Sequence, residues 1–410
     1  MNPGLKHLHR YPFEKLRDLK ASLSPPDDLS AIPLAIGEPR HPVPEFILNT
    51  LNKHLGDINH YPLTGGSLPL RQTLSQWLNT RFQLTNHPLE ADTHVLPVNG
   101  TREALFSFIQ CVINPEEQQQ VLLPNPFYQI YEGATLLAGA TPTYLNCLAE
   151  NDFLPDFSAI DANVWKNCRV LVICTPNNPS GKVMDISTLQ QLIRLSDEHN
   201  FLILSDECYS EIYPDENHPP PGLLQAAHQL GRSHYKNCVV FNSLSKRSNA
   251  PGLRSGLVAG DPEIIQQFLR YRTYHGCAMS PMIQAASISA WQDEQHVIKN
   301  RQQYREKFTL FATELADLWP MEQPDAGFFL WPSTDKLPGH FSDTTLTQAL
   351  FQEQHITVLP GSYLSRTANG MNPGTNRVRM ALVASLSECE EIIQRLQLFI
   401  KGLHTCPNTN

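Results

Sequence analysis

Charge is scarce in this 410-residue chain: charged residues make up 17% of it, against about a quarter of an average domain. The 31 basic and 40 acidic residues give a net charge of −9 without a basic stripe, which argues against a nucleic-acid partner. No apolar run of about 18 residues and no apolar leader is present, so we expect a cytoplasmic protein without membrane spans. The low charge implies a large core, and the length predicts two domains, or one large and one small.

The cysteines do not have the spacing of a recognisable disulfide framework. Nine are present, an odd number, and none lies in a C-x-x-C pair. Several lie in apolar runs, so we predict reduced thiols that mostly fill the core, with a catalytic cysteine as the alternative. We predict no metal site. The cysteines are Cys111, Cys147, Cys168, Cys174, Cys208, Cys238, Cys277, Cys389 and Cys406.

Short apolar runs typical of strands alternate with helix-like stretches through the middle of the chain. A predicted amphipathic helix follows Gly100, and the stretch Ser187–His199 opens with Ser-Thr-Leu-Gln, which predicts a capping box. Apolar strands joined by helices indicate a mostly parallel sheet covered on both faces. The clearest predicted strands are His94–Val98, Gln120–Leu123, Arg169–Cys174, Phe201–Ser205 and Cys238–Phe241.

After about residue 291 the pattern changes to long helices with few strands. We therefore predict an α/β protein with a large domain over 46–290 and a smaller α+β domain over 291–410. Residues 1–45 are predicted to form an N-terminal arm and part of the small domain. The large domain carries the candidate site.

In an open α/β sheet, ligands bind at the carboxyl ends of the strands, and polar or glycine residues follow each predicted strand here. Gly100 and Thr101 open a helix whose free backbone N–H groups suit a phosphate. An ordinary N-cap turn is the simpler explanation of that pair alone. Ser243 and Arg254 offer further phosphate contacts.

Three other residues offer the remaining contacts that a single ligand would need. Tyr128 offers a flat apolar face to an aromatic ring. Asp206, at a buried strand end, needs a cationic partner such as a protonated pyridine nitrogen. Lys246 lies in a loop of small residues, where a desolvated lysine is a good Schiff-base nucleophile. A phosphate, an aromatic ring, a pyridinium nitrogen and an aldehyde together describe pyridoxal 5′-phosphate.

The chain resembles the fold-type I, class I/II aminotransferases along nearly its whole length. Eight motifs of that family occur in order, and the eight-residue step from Lys246 to Arg254 is a further family feature. The motifs are I-G-E-P (36–39), Y-x-x-x-x-G-x-x-x-L-R (61–71), N-G-T-R-E-A (99–104), P-N-P-F-Y (124–128), N-N-P-S-G (177–181), D-E-C-Y (206–209), S-L-S-K with G-L-R-S-G (243–256) and V-R-M-A-L (378–382).

The resemblance implies a role for each matching residue at the cofactor. Lys246 would bond to the cofactor's aldehyde carbon and then serve as the proton shuttle. Asp206 would keep the ring nitrogen protonated, Tyr128 would stack on the ring, and Asn178 and Tyr209 would bond to its 3-oxygen. The phosphate ligands would be Thr101, Arg102, Ser243, Ser245, Arg254 and, across the interface of a homodimer, Tyr61 of the partner subunit.

At the substrate, the resemblance implies that Arg379 binds the α-carboxylate, helped by Asn178 and the backbone N–H of Gly37. Arg377 is the alternative to Arg379. Two departures from the family pattern are a tyrosine at the stacking position 128 and an arginine at 102, where many relatives have a smaller residue or lysine.

The N-terminal stretch, I-G-E-P-R-H-P-V-P (36–44) and Y-R-T-Y-H-G-C-A-M-S-P (271–281) are similar to bacterial succinyldiaminopimelate aminotransferases. That resemblance implies interconversion of N-succinyl-LL-2,6-diaminopimelate and N-succinyl-2-amino-6-oxopimelate, with glutamate and 2-oxoglutarate as the other pair, in lysine and diaminopimelate biosynthesis. A substrate with three carboxylates needs cations beyond Arg379. Arg40 and His41 are candidates, unless they are ordinary loop residues.

Other functions stay open. One is a different aminotransferase, for aspartate, aromatic amino acids or LL-diaminopimelate. Another is a carbon–sulfur β-lyase of the same fold, and a third is a non-enzymatic regulator. About 30 residues before the fold are too few for the helix-turn-helix domain of such regulators, and the intact Lys246 also argues against that function.

Overall fold

A seven-stranded sheet forms the centre of the computed structural model, which describes residues 1–405, the side chains as far as residue 403. All five predicted strands are present, within two residues at each end. Cys406 and the end of the predicted small domain lie outside the described residues. The strands are β1 (Ile32–Pro33), β2 (Val95–Val98), β3 (Gln120–Asn125), β4 (Thr141–Asn146), β5 (Cys168–Cys174), β6 (Leu202–Asp206), β7 (Cys238–Ser243), β8 (Gly256–Gly260), β9 (Phe329–Leu330), β10 (Ile356–Thr357), β11 (Leu359–Pro360) and β12 (Val378–Ala381).

The large sheet has the strand order β2-β8-β7-β6-β5-β3-β4. Neighbouring strands are parallel from β7 to β4, and β8 runs antiparallel to both β2 and β7. The predicted α/β class with a mostly parallel sheet is therefore confirmed. Because β8 is reversed, its first residue lies at the same edge as the carboxyl ends of its neighbours.

Helices cover both faces of the sheet. They are α1 (Pro12–Lys20), α2 (Glu45–Lys53), α3 (Leu68–Arg81), α4 (Thr101–Val112), α5 (Gln129–Leu137), α6 (Ala162–Asn167), α7 (Ile186–His199), α8 (Leu223–Gln229), α9 (Leu244–Arg247), α10 (Pro262–His275), α11 (Pro281–Gln292), α12 (Gln295–Glu314), α13 (Asp343–Gln354) and α14 (Leu386–Thr405). None of the helices within residues 1–405 is long and apolar enough to cross a membrane.

The capping box predicted at Ser187 is wrong. Asp185 is the N-cap of α7, and its carboxylate accepts from the backbone N–H of Thr188 at 2.7 Å and from the Ser187 hydroxyl at 2.9 Å. A charged oxygen bonds the free N–H groups and also interacts favourably with the helix dipole, so the aspartate is the better cap.

Apolar side chains alternate between the two faces along the central strands. Leu171 and Ile173 pack on one side against helices that include α7, whereas Val170 and Val172 pack on the other side against α4. Burial on both faces explains why these strands read as continuous apolar runs.

A second core forms around the antiparallel sheet β11-β12-β9 and helices α12, α13 and α14. Ile32 and Leu34 from the N-terminal segment belong to this core, and β1 pairs with β10. Leu16 of α1 packs nearby, against Leu359 and Leu364. The N-terminal segment thus joins the C-terminal part of the fold, while the domain boundaries themselves stay a prediction.

Candidate active site

The carboxyl edge of the large sheet encloses a cavity of about 590 Å³, within the range of small-molecule sites. Twelve of the thirteen predicted site residues line it. The exception is Tyr61, whose side chain is fully exposed on this chain. The twelve are Gly37, Thr101, Arg102, Tyr128, Asn178, Asp206, Tyr209, Ser243, Ser245, Lys246, Arg254 and Arg379.

Lys246 lies in the short helix α9, directly after β7. Its Nζ donates to the backbone carbonyl of Gly37 and lies 5.3 Å from the centre of the Phe328 ring. Burial lowers the pKa of the Lys246 ammonium to about 8, and the nearby Arg379 also lowers it. About a tenth of the amine is therefore neutral at pH 7, and more as the pH approaches 8, as a nucleophile and a proton carrier need.

Asp206 ends β6 and is buried. Its Oδ2 accepts from the hydroxyl of Tyr131 at 2.6 Å, and its Oδ1 accepts from the backbone N–H of Cys208 at 3.2 Å. Burial raises the pKa of this carboxyl, and no cation among the described residues pairs with it. A cationic ring nitrogen would compensate that buried charge.

The first turn of α4 and Arg254 form the other end of the cavity. Gly100 has a φ of +83°, and a Cβ there would lie 2.4 Å from Nη2 of Arg254, so glycine allows the two segments to approach. Arg254 precedes the reversed strand β8, which explains why it reaches this edge. Ser243 caps α9 by accepting from the Ser245 N–H at 3.1 Å. Backbone N–H groups and a guanidinium together suit a phosphate.

Arg102 has a different environment from the other predicted phosphate ligands. Its Nε donates to the Tyr128 hydroxyl at 2.7 Å, and its Nη2 donates to the hydroxyl of Tyr11 at 2.8 Å. Burial raises the pKa of Tyr128 to about 12, although the Arg102 bond opposes that shift. The phosphate contact of Arg102 stays a prediction.

Arg379 lies on β12, and its guanidinium is held in a fixed orientation. Nη1 donates to Oδ1 of Asn178 at 2.8 Å, Nη2 donates to the backbone carbonyl of Ala35 at 2.8 Å, and the Phe329 ring centre lies 4.4 Å away. Burial lowers its pKa to about 10, which leaves it charged at neutral pH. Its buried Nε has no hydrogen-bond partner among the described residues.

The alternative Arg377 does not line the cavity. Its Nη1 donates to the backbone carbonyl of Trp331, and its guanidinium stacks over Phe153. Arg40 and His41, the candidate ligands of distal carboxylates, lie outside the cavity lining, which favours the alternative that they are ordinary loop residues. Arg40 pairs with Glu388 at 2.9 Å, His41 bonds to two residues of α12, and neither lines the cavity.

Several cavity residues went unnoticed in the sequence. Tyr131 follows Tyr128 by three positions, a spacing that brings side chains together on a helix and could have revealed it. Tyr11 and Phe13 come from the N-terminal arm, far away in the chain, and no local pattern indicates them. Cys174 and Cys208 also line the cavity.

One group of possible metal ligands lies outside the cavity. Glu103, His275 and Cys277 bring three ligand atoms within 4.8 Å of one another. Both oxygens of Glu103 accept from the buried Arg272, at 2.8 and 2.9 Å, so this carboxylate already belongs to an ion pair.

Comparison with known proteins now adds to this geometry. Residues 30–396 match the family model described as Aminotransferase class I and II. The chain belongs to this family. It is a transaminase, and its cofactor is pyridoxal 5′-phosphate, as expected from the motifs.

Relatives and solved structures agree over almost the whole chain. An LL-diaminopimelate aminotransferase from Halothermothrix orenii is 28% identical over 398 residues, which cover 96% of this chain and 97% of that protein. A crystal structure of an aminotransferase from Neisseria meningitidis Z2491 is 46% identical, with a TM-score of 0.92, and the match covers 97% of this chain and 100% of that one. A crystal structure of an aminotransferase from Helicobacter pylori 26695 is 32% identical, with a TM-score of 0.86, and the match covers 97% of this chain and 100% of that one.

The cavity of this transaminase fits its cofactor. The buried Asp206 has a raised pKa and lacks a cationic partner among the described residues, as the acceptor of a pyridinium N–H would without its ligand. The missing Cβ of Gly100 lets the Arg254 guanidinium lie against the first turn of α4, where the two together suit the phosphate. Tyr209 is held by edge contacts to Phe328 and Phe329, with ring centres 5.3 and 5.5 Å away.

Proposed function

We propose that the protein is the N-succinyl-LL-2,6-diaminopimelate:2-oxoglutarate aminotransferase of lysine and diaminopimelate biosynthesis. The observation that carries this proposal is a fourth cation in the cavity. Lys246, Arg254 and Arg379 would serve the aldehyde, the phosphate and the α-carboxylate, and we assign Arg102 to a further carboxylate in place of the phosphate contact predicted from the sequence. A substrate with carboxylates beyond the α-carboxylate uses that cation.

Arg102 is suited to an anion. It forms no ion pair with a carboxylate in the described part of the chain, and its bonds to Tyr128 and Tyr11 use two of its five N–H groups. Its position beside the ring-stacking tyrosine puts it in the same cavity as Arg379. A guanidinium fork of this kind binds a carboxylate in a bidentate way.

Pyridoxal 5′-phosphate, when bound, supplies an aldehyde that condenses with amino groups and a protonated ring that withdraws electrons from the α-carbon. Lys246 would remove and return the α-proton at its Nζ, because its lowered pKa leaves part of it neutral. The Asp206 carboxylate would accept a hydrogen bond from the protonated ring nitrogen. Arg379 and Asn178 would orient the α-carboxylate, so that each amino donor and each 2-oxo acid acceptor lies in the same place.

A second candidate is LL-diaminopimelate aminotransferase, the name of the similar protein from Halothermothrix orenii. Glu38 also lines the cavity, and its carboxylate could pair with the distal ammonium of LL-diaminopimelate. The succinylated substrate has a neutral amide and another carboxylate at that place. LL-diaminopimelate would therefore use Glu38 for its distal ammonium, whereas the succinylated substrate would use Arg102 for its additional carboxylate.

A substrate panel tests the proposal. The holoenzyme is assayed for kcat/KM with N-succinyl-LL-diaminopimelate, LL-diaminopimelate, aspartate, phenylalanine and N-acetylornithine, with 2-oxoglutarate as acceptor. We expect the succinylated substrate to have the highest value. A higher value for LL-diaminopimelate selects the second candidate. Release of pyruvate and ammonia from cystathionine when no 2-oxo acid acceptor is added indicates a β-lyase.

We also propose that the protein acts as a homodimer in which Tyr61 reaches the phosphate site of the partner subunit. In support, Tyr61 is fully exposed and lies among other exposed apolar side chains, including Leu55, Ile58 and Leu63. Such a patch favours a protein interface. Sedimentation of the wild-type protein tests the dimer, and Tyr61→Phe, which removes only the hydroxyl, tests the contact through cofactor affinity.

A further inference from the structure

A chain of hydrogen-bonded polar side chains lies behind helix α9, which carries Lys246, and outside the cavity lining. Its centre is Asn300 of α12, which is 2% exposed. The Asn300 amide donates to the backbone carbonyl of Lys246 at 3.2 Å, and its Oδ1 accepts from Asn249 at 2.9 Å. The same oxygen lies 2.8 Å from Nδ1 of His41, and Nε2 of His41 lies 2.5 Å from Nζ of Lys307. The proposed reaction uses none of these four side chains directly.

Lys307 is the unusual member of this chain. It is 2% exposed, its Nζ donates to the backbone carbonyl of Leu382 at 3.3 Å, and the Tyr304 ring centre lies 4.9 Å away. In the described part of the chain it forms no ion pair, and Glu388, which acts on it electrostatically, pairs with Arg40 instead. A buried cation without a close counter-ion destabilises a fold, so its presence favours a function.

The charge of Lys307 sets the direction of the whole chain. Burial lowers the pKa of Lys307 to about 8, so below that pH it is an ammonium that only donates, and Nε2 of His41 accepts. A neutral imidazole then carries its proton on Nδ1, which donates to Oδ1 of Asn300. Burial and Lys307 lower the pKa of His41 to about 4, which keeps the ring neutral. The Asn300 amide is thereby oriented with its N–H groups toward the Lys246 carbonyl.

We propose that His41, Asn300 and Lys307 are positioning residues for Lys246, with Lys307 imposing the direction of the hydrogen bonds that hold it. The inference rests on the proposed function, in which Nζ of Lys246 carries the proton. His41 follows Gly37 by four residues, and the Gly37 carbonyl accepts from Nζ of Lys246. The chain therefore ties the Lys246 backbone and the loop that receives its side chain to the same helix.

Two substitutions at position 307 separate the effect of the hydrogen-bond donor from the effect of the positive charge. Lys307→Met removes both the donor and the charge, whereas Lys307→Gln keeps an N–H for Nε2 of His41 without the charge. Lys299→Met is the matched control, because Lys299 is exposed on the same helix and its loss changes the net charge equally. We expect Lys307→Met to lower kcat about tenfold, as for a slightly displaced catalytic group, with KM for the amino donor within about twofold. Lys307→Gln should recover part of kcat, and the control should match the wild type.

Two readouts do not depend on turnover. The apoprotein of Lys307→Met should melt no lower than the wild type, because an apolar side chain of similar length replaces a buried charge. In the holoprotein, the pH midpoint of the cofactor's visible absorption should differ from the wild-type value, because that midpoint depends on where the Lys246 nitrogen lies relative to its charged neighbours, which include Arg379.

Three results decide the matter. A Lys307→Met protein that melts lower and loses activity only in proportion to its unfolded fraction shows a purely structural role and overturns the proposal. Unchanged kcat, KM and absorption midpoint overturn it as well. A wild-type protein that takes up no pyridoxal 5′-phosphate overturns the proposed function instead, whatever the variants do.

Discussion

The hydroxyl of Tyr131 donates a 2.6 Å hydrogen bond to Oδ2 of Asp206, and both side chains are buried. Burial raises the pKa of the Tyr131 phenol well above its usual range, so the phenol keeps its proton and the carboxylate accepts. This bond stabilises the charged form of Asp206, which burial alone disfavours. Tyr131 therefore helps to keep ionised the group that would hold the ring nitrogen of the cofactor.

Tyr131→Phe removes this donor and leaves the rest of the side chain in place. We expect kcat to fall about tenfold, because a buried carboxylate that loses a hydrogen bond is destabilised by about 1–3 kcal/mol. Steady-state kinetics of the holoenzyme measure the effect. Tyr144→Phe is the matched control, since it removes a 2.6 Å bond to Glu132 that lies outside the cavity. Equal kinetics of the two variants would show that the Asp206 bond has no catalytic importance.

Arg379→Lys should raise KM for amino donors at least about tenfold, because lysine keeps the charge but loses the guanidinium fork. KM is measured for the donor and for the 2-oxo acid, which share the α-carboxylate contact. Arg377→Lys is the control, because that side chain bonds to Trp331 outside the cavity. If Arg377→Lys raises KM and Arg379→Lys does not, the α-carboxylate ligand is Arg377.

Gly100→Ala should weaken cofactor binding about tenfold or more. The φ of +83° strains an alanine, and its Cβ would displace the Arg254 guanidinium. Equilibrium titration of the apoprotein with pyridoxal 5′-phosphate measures the affinity. Gly56→Ala, where a Cβ would meet no atom within 4 Å, should bind the cofactor as the wild type does. Unchanged affinity in Gly100→Ala would show that the phosphate does not bind at this end of the cavity.

Arg102→Met distinguishes two roles for this arginine. If Arg102 binds a distal carboxylate, the variant loses about tenfold or more in kcat/KM for N-succinyl-LL-diaminopimelate, while alanine as a donor is little affected. If Arg102 binds the phosphate, cofactor affinity falls and all substrates lose equally. Measuring cofactor affinity and kcat/KM for both donors separates the outcomes, and we expect the first.

The lowered pKa of Lys246 predicts a pH-dependent stability of the apoprotein. Between about pH 8 and 10.5 the unfolded chain holds the Lys246 proton and the folded chain has lost it, so the free energy of unfolding rises with pH. Lys246→Met lacks this effect. The variant should be more stable than the wild type by about 3 kcal/mol below pH 8, and the difference should vanish toward pH 10.5. Urea unfolding at several pH values measures it; a constant difference would contradict the lowered pKa.

Much of this fold was visible in the sequence because strand and helix periodicities are local. The five predicted strands and the residues that follow them place one edge of the sheet correctly. Strand β8 (Gly256–Gly260) escaped notice because glycines bound it at both ends and leave only three apolar side chains between them. Its reversed direction brings Arg254 to the site, and only the hydrogen-bonding pattern of the sheet reveals that.

The parts of the site that sequence reasoning missed depend on contacts between distant segments. Tyr11 meets Arg102 across 91 positions, and His41 meets Lys307 across 266. No periodicity encodes such pairs. The charges of Arg40 and His41 suggested ligands for distal carboxylates, but in the fold Glu388 and α12 engage them. Charge alone does not reveal which partner a side chain finds.

Borohydride reduction of the wild-type holoprotein, followed by peptide mapping, tests the account most directly. The reagent reduces the imine between a lysine and the aldehyde to a stable amine, so the modified residue keeps the cofactor's mass. We predict one modified peptide per chain, carrying the cofactor on Lys246, and none in Lys246→Ala. Modification of another lysine, or a protein that takes up no cofactor, would contradict the central claim that this cavity and its lysine perform transamination.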